Sequence, residues 1–136
     1  MRRSIARAVS CTAAIGSLST IAACGEPDDT SDGRELAVEL TAVEFAFRAD
    51  EAIEIRAGDT VTFGVRNEGE LDHQLEVLSE ASRSLGMTER IAPGARRAVT
   101  VIFDEPGAYR VVCDIDDHLS RGHQAVFEVA PAVSDE

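Results

Sequence analysis

The side chains with the most chemistry in this 136-residue chain are one cysteine and three histidines, and two short segments hold them all. Cys113, His118 and His123 fall within Tyr109 to Val129, which reads Y-R-V-V-C-D-I-D-D-H-L-S-R-G-H-Q-A-V-F-E-V. Residues two apart on a strand point to the same face. Cys113 keeps step with Tyr109 and Val111, and His123 with Ala125, Phe127 and Val129. Both ends of the intervening loop therefore aim a metal-capable group toward a core. Upstream, His73 is in step with Leu75 and Val77 and points inward from its own strand. A thiol and imidazoles from separate segments, directed to one side, are the ingredients of a soft transition-metal site.

The cysteine inventory supports that reading. Cys11 and Cys24 lie in an N-terminal segment with the features of an export signal, in which Arg2, Arg3 and Arg7 precede a small-residue apolar run from Ala8 to Ala23, too short to span a bilayer. The run ends Ile21-Ala22-Ala23-Cys24, which resembles a bacterial lipobox with Cys24 as the lipidated residue and membrane anchor. Residues 1–23 are then a lipoprotein signal peptide, and Cys113 is the only thiol left for the folded domain. An unpaired thiol in an exported protein calls for a reason. Metal ligation supplies one.

The spacing resembles the blue copper proteins, or cupredoxins, a family that includes plastocyanin, pseudoazurin and azurin. That family joins an early histidine to a C-x(2–4)-H-x(3–4)-M loop between its last two strands. The resemblance assigns the early histidine to His73, the thiolate to Cys113 and the loop histidine to His118. The axial position, methionine in most relatives, falls on His123, which either ligates there or swings outward and leaves a three-coordinate site. The segments I-E-I-R-A-G-D-T-V-T-F (53–63), N-E-G-E-L-D-H (67–73) and D-E-P-G-A-Y-R-V-V-C (104–113) extend the likeness over roughly Leu36 to Val129.

The resemblance implies one type 1-like copper ion and single-electron transfer outside the cytoplasm, without enzymatic turnover. It implies a partly exposed His118 as the electron port. An axial imidazole donates more strongly than a thioether, which implies a lower potential and a greener or redder spectrum. Met87 is a packing or loop residue outside the ligand loop. Gln74 stands where several relatives carry an asparagine tying the ligand loops together, although alternation points Asp72 and Gln74 away from His73. Two alternatives stay open. One cysteine with three histidines also suits tetrahedral zinc, and the same ligands suit a copper delivery, storage or protection protein without a redox partner.

Elements able to position these residues follow from alternation and turn chemistry. Leu36, Val38 and Leu40 alternate with polar or small residues, as do Val43, Phe45 and Phe47, then Ile53 and Ile55, then Val61, Phe63 and Val65. Gly58-Asp59, Asn67 to Gly69, Pro93-Gly94 and Pro106-Gly107 separate several of these runs. This predicts an all-β chain, a Greek-key antiparallel β-sandwich of about seven to eight strands. Residues 79–90 show weak alternation and are compatible with a short helix or an irregular excursion. The expected organisation is a signal over 1–23, lipidated Cys24 and an acidic tether over 24–34, one domain over 35–131, and a tail over 132–136.

Charge bounds the partners. Thirteen basic residues, all arginine, face 25 acidic ones for a net charge of −12. Removing residues 1–23 takes three of the basic residues and none of the acidic ones, so the charge becomes −15. Nucleic-acid phosphates would be repelled. Asp114, Asp116 and Asp117 around His118 are either a solvated loop or a docking rim for a basic redox partner of a monomeric, membrane-tethered protein facing the periplasm or cell exterior.

Overall fold

A computed structural model describes residues 33–134. Cys11, Cys24, the signal segment and all of the tether before Gly33 lie outside the described residues. The described residues form nine strands and no helix: β1 (Glu35–Val43), β2 (Ala46–Ala49), β3 (Ile55–Arg56), β4 (Thr60–Asn67), β5 (Glu76–Ser79), β6 (Ser84–Met87), β7 (Arg96–Ile102), β8 (Gly107–Val112) and β9 (Gln124–Ala130). They make two sheets, ordered β2-β1-β4-β7 and β3-β9-β8-β5-β6. The all-β sandwich is as expected, with nine short strands in place of seven or eight.

Alternation builds the space between the sheets. Val38 and Leu40 of β1 and Val61, Phe63 and Val65 of β4 are buried from one side; Val77, Tyr109, Val111 and Val129 are buried from the other. Each fully buried side chain of this kind contributes roughly 1.5–3 kcal/mol. Phe103 packs edge-on against Phe63, Tyr109 and Phe127, with centroids 6.2, 4.9 and 5.7 Å away.

Three details depart from the reading of the sequence. The sandwich is not wholly antiparallel: β1 runs parallel to β4 from Glu35↔Thr60 to Ala42↔Asn67, and β3 runs parallel to β9. Alternation specifies which face is buried but not strand direction, which the crossovers between sheets set. The run Val43-Phe45-Phe47 is not one strand but a hairpin, since Val43 pairs with Ala46 and Phe45 turns the chain at φ 63°. Neither Glu44 nor Phe45 is a usual turn residue, so the break has no compositional mark. Residues 79–90 hold the turn and second strand of a β5–β6 hairpin, in which Ser82 takes φ 61° and the Ser79 hydroxyl accepts the Arg83 N–H.

The pairings gather the chemistry at one pole. Glu76 of β5 is opposite Val112 of β8, so the residues just before β5 and just after β8 are neighbours. Val112 is opposite Gln124, which places Cys113 and His123 at the mouth of the β8–β9 hairpin. Because Ala42 is opposite Asn67, the β1–β2 turn and the loop leading to His73 reach the same end.

Candidate metal centre

His73 is anchored before β5 by a two-way backbone bridge with Ile91, at 3.0 and 2.7 Å. Asn67, 1% exposed, braces the preceding loop. Its amide donates to the carbonyls of Leu71 and Ile91 at 2.7 and 2.8 Å, and its Oδ1 accepts the Gly69 N–H at 2.8 Å. Asp72 points outward to Arg90, and Gln74 donates to the Thr88 carbonyl. Both therefore point away from His73, as alternation predicts. Met87 is 51% exposed, at the end of β6.

The loop from Cys113 to His123 is a sequence of tight turns closed on itself. The Cys113 N–H donates to the His123 carbonyl at 3.0 Å, and the His123 N–H donates to the His118 carbonyl at 3.0 Å. Asp116 and Gly122 adopt positive φ, at 49° and 89°. Arg121 pairs with Asp117 at 2.6 Å and stacks over the Phe45 ring, 5.0 Å from its centroid. Of the three acidic residues near His118, Asp117 is thus paired within its own loop.

These elements bring all four sequence-identified side chains together. One donor atom from each of His73, Cys113, His118 and His123 can be chosen so that all lie within 4.8 Å of one another. Cys113 Sγ lies 3.6 Å from His118 Nδ1. His73, Cys113 and His123 are completely buried and His118 is 4% exposed. The sequence reading expected a partly exposed His118; instead the Phe45 ring meets it edge-on at 5.3 Å, and Phe47 lies 4.3 Å from His123.

Burial dominates the electrostatics of these side chains. Neither nitrogen of His73 or His123 makes a hydrogen bond, although all four atoms are buried. Buried polar atoms are nearly always satisfied, and each one left bare costs about 1–3 kcal/mol. Burial, then the neighbouring histidines, pushes the His123 pKa down to about 4. Burial, followed by His118, likewise lowers that of His73, against the opposing pull of Glu44. Burial favours the neutral, ligating form of His73 and His123, and a set of three imidazoles and one cysteine sulfur fits a cation of the copper or zinc class.

The sequence matches a family model for a cupredoxin-like domain over residues 12–126. The chain belongs to the cupredoxin-like family. Solved structures with its cupredoxin-like sandwich include an auracyanin from Roseiflexus castenholzii, 19% identical with a TM-score of 0.61, the match covering 73% of this chain and 99% of that one. Auracyanin B is 18% identical with a TM-score of 0.63, over 71% of this chain and 89% of that one. Auracyanin A of Chloroflexus aurantiacus, a blue copper protein, is 16% identical with a TM-score of 0.57, over 72% and 99%. At these identities the likeness establishes the fold. No curated protein matches the sequence.

Reading the sequence for metal-capable residues missed the groups that surround this centre. Asn67 and Glu44 carry no side-chain signature of their own, and Phe45 and Phe47 read as ordinary core positions. Asn67-Glu68-Gly69 was legible only as a turn.

Proposed function

We propose that the four side chains hold one copper ion and that the protein passes single electrons outside the cytoplasm, with His123 in the place of the family's methionine. The observation that carries this is the buried convergence of one thiol and three imidazoles within 4.8 Å, in which the ring nitrogens of His73 and His123 make no hydrogen bond. Copper bound there supplies one-electron chemistry between Cu(I) and Cu(II). The chain's own residues do the rest. The β5–β8–β9 ladder and the self-bonded loop fix the donors, which limits rearrangement when charge changes. Phe45 and Phe47 keep water away. His118, the most exposed of the four, is the proposed electron port.

Burial also separates this reading from its alternatives. Copper delivery needs ligand exchange with an acceptor protein, and catalysis needs a substrate to reach the metal. Donors between 0 and 4% exposed favour neither. Cyclic voltammetry of the copper-loaded domain tests the point. Fast, reversible one-electron exchange is expected; slow exchange with ready transfer of copper to a chelating acceptor protein would support delivery instead. A complete set of one thiol and three imidazoles also favours zinc as a second reading.

Lipidation at Cys24 would tether the domain to a membrane facing the periplasm or exterior. Exposed Asp114 and Asp116 would meet a basic patch on a redox partner, and association would then weaken as salt rises.

A further inference from the structure

Glu44 carries no donor to the cluster, yet its carboxylate stands directly behind one of the four rings. It occupies the two-residue turn between β1 and β2. Its Oε1 accepts the backbone N–H groups of Glu70 and Leu71 at 2.7 and 3.0 Å and lies 3.5 Å from His73 Nε2. Room for it depends on Gly69, where a Cβ would stand 2.2 Å from the same oxygen. The hairpin turn, the His73 loop and the imidazole thus meet at one carboxylate oxygen. Were the ring proton on Nδ1, the Nε2 lone pair would face that anionic oxygen; with the proton on Nε2, the contact is attractive and Nδ1, which has no other partner, is free to ligate.

Resting on the metal-binding reading above, we propose that Glu44 is a positioning residue for His73, holding its ring as the Nε2–H tautomer and placing a fixed negative charge behind it. Carboxylates commonly orient metal-binding histidines in this way and raise their basicity. A nearby anion favours the more positive oxidation state of a bound ion, so Glu44 lowers the reduction potential. A merely structural Glu44 would tie down Glu70 and Leu71 and leave both tautomer and potential alone.

Three variants separate these roles. Glu44→Ala removes the carboxylate, Gly69→Ala displaces it while leaving the charge in the chain, and Glu44→Gln keeps an acceptor oxygen without the charge. Long-range ¹H–¹⁵N correlation on metal-free, histidine-labelled protein at pH 7.5 reads the tautomer of His73. The wild type is expected to be predominantly Nε2–H, and Glu44→Ala and Gly69→Ala mixtures of the two forms. Glu44→Gln is expected to keep the tautomer but bind Cu(II) about 10-fold more weakly and show a higher reduction potential. An unchanged tautomer in both Glu44→Ala and Gly69→Ala, or an unchanged potential in Glu44→Gln, overturns the proposal. Failure of the wild type to take up copper overturns the metal reading and the charge effect on it, whereas the metal-free tautomer measurement decides independently whether Glu44 orients the ring.

Discussion

The ring of Phe47 lies 4.3 Å from that of His123, with planes inclined by 40°. Phe47 belongs to β2, in the sheet opposite β9, so the contact ties the two sheets together at the pole where the four donors converge. It also caps a histidine that no water reaches. Phe47→Ala should lower stability by about 2 kcal/mol, less than a fully buried phenylalanine because Phe47 is half-buried. It should also speed loss of bound copper to a competing chelator. Denaturant titration and chelator kinetics measure the two effects, and unchanged kinetics would remove Phe47 as a barrier to water.

Asn67 is a brace with a measurable role. Asn67→Ala removes three hydrogen bonds at a site 1% exposed and should cost about 2–3 kcal/mol. Asn67→Asp should be worse, because an acceptor would then face the carbonyls of Leu71 and Ile91. Thermal melts of the two variants give the order; the reverse order would show that the Asn67 amide is not what holds the loop.

The metal-free protein should weaken in mild acid. An ordinary histidine titrates near 6.5, whereas His123 is depressed to about 4 by burial and by His73 and His118. Between those values the unfolded chain binds a proton that the folded chain refuses. Stability therefore falls as pH drops from about 6.5 toward 4, by up to about 3 kcal/mol from His123, with His73 adding in the same direction. Above about 6.5 neither state is protonated and this contribution is flat. Urea titrations between pH 7.5 and 4.5 measure it. The decline should be steeper in wild type than in His123→Ala; equal slopes would show that His123 is not buried neutral.

Much of this centre was legible because the chain has so few histidines and one domain cysteine, and because strand parity fixes which side a residue faces. Parity correctly turned His73, Cys113 and His123 inward. It could not show that Phe45 closes over His118, since a positive-φ turn at Glu44-Phe45 has no glycine or asparagine to mark it. Nor could it place Glu44, whose role depends on a contact with residues 26 and 27 positions away. The β5–β6 hairpin was hidden because its strands are only four residues each, Glu-Val-Leu-Ser and Ser-Leu-Gly-Met, too short and too irregular to show alternation. The parallel β1–β4 pairing arises from topology, to which hydrophobic alternation is blind.

In the proposed copper site His123 stands in the place of the family's methionine, and His123→Met would restore that residue. Imidazole stabilises Cu(II) more than a thioether does, so the substitution should raise the reduction potential and move the absorption toward that of a methionine site. Spectroelectrochemistry compares the two proteins. Identical potentials and spectra would mean that His123, despite its position, does not bind the metal.

The most direct test of the copper centre is visible absorption and EPR spectroscopy of the chain from Gly25 to Glu136 during titration with Cu(II). An intense thiolate-to-copper charge-transfer band that saturates at one equivalent and is lost in Cys113→Ser is the predicted result. Tight, colourless zinc binding with no such band on copper addition would contradict electron transfer and leave a metal-handling or structural site.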